Sequence, residues 1–146
     1  MTHTSPSPRS RSLRAVGQLG LGAALLAAGT GHLTAQREEF QAQVPPWFPA
    51  DPDTVVVASG VVELALGGAL VAVWRQPARA VVGAAAAAFF VGVFPGNVAQ
   101  LAEHRDAFGL DTDTKRLVRL FFQPVLVVWA LAATDAVGEW RARRAS

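Results

Sequence analysis

Glu63 is the only charged residue between Thr54 and Trp74. A carboxylate in such a run can accept hydrogen bonds, hold a counter-ion or carry a proton. Leaving it there with none of these partners is costly. Four other polar side chains stand in equally apolar surroundings. His32 lies in Ala15 to Gln36, which has no Asp, Glu, Lys or Arg. Asn97 lies in the uncharged run Ala80 to Ala102. Arg119 is the only charge between Leu117 and Thr134, and Gln123 follows it at i+4 on the same helical face. An imidazole, a carboxylate, two carboxamides and a guanidinium can together hold a polar head group and pass a proton. They form the candidate intramembrane ligand or proton site. No catalytic residue is assigned. With no close pair of histidines at ligand spacing, no metal site is expected.

The elements that must position these groups follow from the same runs. Each run is near the roughly 20 residues that an α-helix needs to cross a bilayer. A soluble bundle would need a charged outer face on each helix, and none has one. The fold class expected is all-α, an integral membrane four-helix bundle. Helices are expected at about 14–36, 54–74, 79–101 and 115–136, in one domain spanning 13–140. A disordered tail at 1–12 and a basic tail at 141–146 flank it. The chain has no cysteine, which excludes disulfides, thiol redox chemistry and cysteine-ligated metals. The net charge of +2 does not point to nucleic acid, because the basic residues are better explained by topology.

Arg9, Arg11 and Arg14 precede the first run, Arg75 and Arg79 join the second to the third, and Arg141, Arg143 and Arg144 close the chain. Alternating helices put all of these on one side. The positive-inside rule then places both termini in the cytoplasm of a multi-pass protein of the inner (cytoplasmic) membrane. A cleaved signal peptide is the rival reading of the N-terminus, but Gly29 to Gln36 offers no clear small-x-small cleavage site.

Helical rise sets the depths. Glu63 falls about 13 Å below the outer end of its helix, and Arg119 starts only about 6 Å above that level. His32, Asn97 and Gln123 also fall in the outer half, so the polar groups of all four helices converge there. Gly60, Glu63 and Gly67 share a face, which lets a neighbouring helix approach and turns Glu63 into the bundle. Glu63 is therefore expected to interact with Arg119, directly or through Gln123, Asn97 or water. The alternative is a protonated Glu63 that donates a hydrogen bond. On the outer side, Arg37 to Gln43 reads as an extension of the first helix or a short interfacial helix. Pro46, Trp47 and Phe48 after it read as an interfacial anchor, with a substrate lid as the alternative. Asp111 to Thr114 supplies N-cap residues for the fourth helix.

The pattern resembles the uncharacterised branch of the DoxX-like membrane proteins. The resemblance rests on Gly31-His32, Glu38-Glu39-Phe40, Val44-Pro45-Pro46-Trp47-Phe48-Pro49 and Ser59-Gly60-x-x-Glu63-x-x-x-Gly67. Phe94-Pro95-Gly96-Asn97 and Arg119-x-x-x-Gln123-Pro124 complete it, over roughly Leu13 to Ala133. It implies a compact bacterial four-helix bundle and a quinone-associated accessory subunit of a membrane redox system. In that reading His32, Asn97, Arg119 and Gln123 hold a quinone head group and Glu63 relays a proton. The chain offers no redox centre of its own, so the isolated protein is not expected to be an enzyme. A membrane or soluble redox partner would carry the electrons. The residues alone call for no cofactor beyond this quinone. Two other readings stand beside it: a binding or assembly protein whose polar cluster is structural, and a small transporter working as a homo-oligomer. The lipid bilayer is the partner common to all three.

Overall fold

A computed structural model describes residues 8–145. In chain order its helices are α1 (Pro8–Leu33), α2 (Arg37–Gln41), α3 (Pro52–Ala72), α4 (Ala78–Ala102), α5 (Asp113–Thr134) and α6 (Ala136–Arg144). The four long helices α1, α3, α4 and α5 are each long and apolar enough to cross a membrane. Val61, Val81, Val91, Phe121, Phe122 and Val128 are exposed on their outward faces. An apolar exterior of this kind suits a lipid solvent rather than water.

Both ends of the described chain are helical. Residues 8–12 are helical, where a disordered tail was expected; residues 1–7 of that tail lie outside the described residues. Proline is tolerated in a first helical turn, so Pro8 begins α1 without a break into the apolar run. The basic segment is also helical as far as Arg144. Asp135 adopts a left-handed conformation (φ 57°) that ends α5 and starts α6. Arg143 donates to Glu139 at 3.1 Å, and Arg144 stacks over Trp140 at 3.7 Å, both at i,i+4. Ser146 lies outside the described residues.

Glycine sets the closest packing. A Cβ on Gly29 would meet Gly60 O at 2.7 Å, and one on Gly67 would meet Gly22 O at 2.9 Å. These two pairs, seven residues apart on each helix, bring α1 and α3 into backbone contact and fix them antiparallel. The sequence pointed to Gly60 and Gly67; their partners are Gly22 and Gly29. α4 and α5 form the second closely packed pair, and Gly83 makes room there for Thr134. α3 and α4 pack less closely, although only a short turn joins them. The apolar core, including Leu21, Leu25, Leu70, Ala86, Phe90 and Ala130, fills the space between the two pairs.

The end of the bundle that carries α6 is tied by polar groups. Gln18 is fully buried, and its amide donates to Leu70 O at 2.7 Å and Val73 O at 2.9 Å. Arg79 donates to Gln18 Oε1 at 2.5 Å and to Ala133 O at 2.6 Å. Gln76 donates to Thr134 O at 2.9 Å, and Arg14 pairs with Asp135 at 2.6 Å. The last carbonyls of α3 and α5 thus receive their missing donors, and a guanidinium sits at the negative end of both helix dipoles. Arg79, a topology signal in the sequence, also joins three helices here.

Candidate functional site

At the opposite end, the connections fold back over the bundle. Asp51 caps α3 by accepting from Thr54 N at 3.0 Å, and Pro52 takes the first helical position. Gln41 donates to Asp53 at 3.0 Å, and Arg37 pairs with the same carboxylate, tying α2 to the start of α3. The connection between α4 and α5 lies against this segment. Arg105 donates to Ala42 O at 3.1 Å and Val44 O at 2.9 Å. Glu39 accepts from Phe108 N at 3.0 Å. Phe108 is held at φ 55°, a left-handed conformation that a bulky residue adopts only when its surroundings impose it. Arg116 is buried, donates to Arg105 O at 3.1 Å and pairs with Asp113 at 2.7 Å and with Asp106. Lys115 donates to Asp111 at 2.6 Å and holds that carboxyl below its usual range. Thr112 caps α5 by accepting from Lys115 N.

Beneath this cover lies a cavity of about 660 Å³. Its size falls within the range of small-molecule sites. All four long helices line it, and Phe40, Val44 and Phe108 contribute from the cover. Its body is apolar, with Leu21, Leu25, Phe89, Phe90 and Leu126 in the wall. His32, Glu63, Asn97, Arg119 and Gln123, the five residues singled out in the sequence, all border it. Trp47 and Phe48 border it too while remaining exposed; Pro46 is exposed and does not.

The partners within the cluster are not the expected ones. The structure forms no direct Glu63–Arg119 pair. Glu63 Oε2 instead lies 2.8 Å from His32 Nδ1 across the α1–α3 seam. The close Gly29–Gly60 approach brings the last turn of α1 alongside Glu63. His32 is stacked flat on Phe40 with ring centroids 3.4 Å apart, which fixes the ring plane. Its Nδ1 is also 2.9 Å from Ala28 O. A carbonyl only accepts, so Nδ1 carries the proton and donates it there. One proton cannot also point at Glu63, and the buried Glu63 Oε2 is left without a directed hydrogen bond.

Arg119 comes from the other helix pair. Its Nε donates to Asn97 Oδ1 at 3.2 Å, and its guanidinium lies 5.4 Å from the Phe108 ring centroid. Among the described residues no carboxylate pairs with it. Gln123 is buried and donates to Phe90 O at 3.0 Å. Pro95, which has no N–H, leaves the neighbouring Val91 carbonyl without its helical donor one residue further along α4.

Residues outside the five-residue cluster complete the site. Gln43 Nε2 is buried without a partner and borders the same cavity. Gly96 accommodates the backbone of Gln43, whose carbonyl a Cβ there would meet at 2.5 Å. Gly92 faces open space, and nothing lies within 4 Å of where its Cβ would be. No periodicity marks Gln43, Phe40 or Phe108, because loop folding rather than helical phase brings them in.

Comparison with known proteins gives a family and no activity. A family model described as a domain of unknown function (DUF8561) matches residues 21–134 of the 146-residue chain. No curated protein and no solved structure matches it. The match spans α3, α4, α5, the cover and the part of α1 that carries His32. The chain, a multi-pass membrane protein by its four apolar helices, belongs to this family of unknown function.

Proposed function

We propose that this protein is a membrane-embedded binding protein that takes a lipophilic molecule with a polar head, of the quinone class, into the covered cavity. One observation carries the reading. Among the described residues, the two buried side-chain atoms without a hydrogen-bond partner, Gln43 Nε2 and Glu63 Oε2, both border the same apolar cavity. Buried polar groups are rarely left unmatched, and a ligand that meets both removes the penalty. The resemblance to DoxX-like proteins supports a quinone and a role as accessory subunit of a membrane redox system. In that role His32, Asn97, Arg119 and Gln123 form the polar end, and Glu63 handles a proton.

A purely structural role for the cluster is the weaker reading. The inter-helix locking expected of such a cluster is already supplied at the other end by Gln18 and Arg79. The eight arginines near the α6 end support a cytoplasmic location for both termini, with the cavity opening toward the outer side of the cytoplasmic membrane. The test is purification from native membranes in mild detergent, with mass spectrometry of lipophilic small molecules and co-purifying proteins. A retained quinone-class molecule that is lost in Glu63→Ala supports the proposal. Protein that carries none, with Glu63→Ala changing stability alone, contradicts it.

A further inference from the structure

Glu63 and Arg119 border one cavity but do not pair with each other. His32 lies against the first, and Asn97 accepts from the second. Glu63 Oε2 is an acceptor with no directed donor, and the Glu63 residue is only 8% exposed. Arg119 can only donate, and among the described residues it has no carboxylate partner. Between these two groups the geometry calls for an atom that donates in one direction and accepts from the other.

We infer that the ligand's head group bridges Glu63 and Arg119, and that the site selects a neutral, hydroxyl-bearing head. The hydroxyl donates to Glu63 Oε2, and an oxygen of the same head accepts from Arg119. The inference rests on the binding reading above and narrows it to the reduced, hydroquinone form. Three chemical arguments support this choice. A quinone carries only acceptors, so beside an ionised Glu63 it satisfies Arg119 and leaves Glu63 Oε2 unmatched. A fatty acid satisfies Arg119 but brings a second carboxylate toward Glu63. A neutral head leaves the opposite charges of Glu63 and Arg119 to offset one another in an apolar space, where an extra charge is costly.

The experiment measures binding of three probes to purified protein in nanodiscs: decylhydroquinone under reducing conditions, decylbenzoquinone and decanoate. Wild-type protein is expected to bind decylhydroquinone about tenfold more tightly than decylbenzoquinone, the scale of one buried hydrogen bond left unmade. Decanoate should bind more weakly than decylhydroquinone. Glu63→Gln, whose amide both donates and accepts, should bring the two ring probes to similar affinity. Arg119→Gln should weaken both ring probes alike. Equal or tighter binding of decylbenzoquinone by the wild type, or a preference that survives Glu63→Gln, overturns the bridging arrangement while leaving the cavity a ligand site. Decanoate binding tightest overturns it too. Binding of none of the probes overturns the binding reading itself. The wild-type comparison stands alone if a variant does not fold.

Discussion

His32 Nδ1 and Glu63 Oε2 approach to 2.8 Å across the seam where Gly29 meets Gly60. The two residues come from different helices, and the glycines bring those helices together. Coupling between them is therefore expected. In a double-mutant cycle with His32→Ala and Glu63→Gln, the stabilities should deviate from additivity by about 0.5–3 kcal/mol. A parallel cycle on ligand-free protein with Glu63→Gln and Arg119→Gln should give the smaller coupling. Reversible unfolding in mixed micelles measures both.

The seam itself is open to a steric test. A side chain on Gly67 would press on Gly22 O and Leu26 N, both 2.9 Å from its Cβ, and neither backbone atom can swing aside. Gly67→Val is expected to separate α1 from α3 and cost about 1–3 kcal/mol. Gly68, one residue on, has nothing within 4 Å of its Cβ. Gly68→Ala should be neutral or stabilising, by up to about 1 kcal/mol of helix propensity. Thermal unfolding of the two variants side by side makes the comparison.

Arg79 separates stability from binding. Arg79→Gln removes the donors to Gln18 Oε1 and Ala133 O and leaves those groups unmatched in a largely buried site. The expected cost is about 1–3 kcal/mol. Arg79 does not border the cavity, so the lipophile bound per mole of folded protein should not change. Unfolding measurements and small-molecule mass spectrometry on the same preparation check both parts.

The helices and the convergence of polar side chains were legible in the sequence for simple physical reasons. Runs without charge reach bilayer length, and a fixed rise per residue puts His32, Glu63, Asn97, Arg119 and Gln123 at similar depth. Pairing within the cluster was not legible. Depth brings Arg119 close to Glu63, but the stacking of Phe40 on His32 and the placement of Phe108 over Arg119 depend on how two loops fold. The structural roles of Arg79, Arg105 and Arg116 were not legible either, since sequence alone does not show which backbone carbonyls lie within their reach. Composition alone did not show that Pro8 and the Glu139–Arg143 pair sit in helices.

The cover makes a prediction about exchange. Arg105 holds the segment after α2 through two backbone carbonyls, at 3.1 and 2.9 Å. Arg105→Ala should loosen the cover over the cavity. Decylhydroquinone should dissociate several-fold faster from the variant, with its association changed less. Stopped-flow displacement measures the rate, and an unchanged rate would remove the cover from the account.

Filling the cavity should displace its ligand. Gly92 lines it, and the space beyond its Cβ position is open. Gly92→Leu is expected to reach into ligand space, while replacing a mid-helix glycine removes a helix penalty of about 1 kcal/mol. The measurement is the lipophile retained by wild type and Gly92→Leu after identical purification, beside their unfolding midpoints. The variant is expected to be at least as stable as wild type and to have lost the bound molecule. Retention of the same molecule in the same amount by a stable Gly92→Leu would contradict the binding reading.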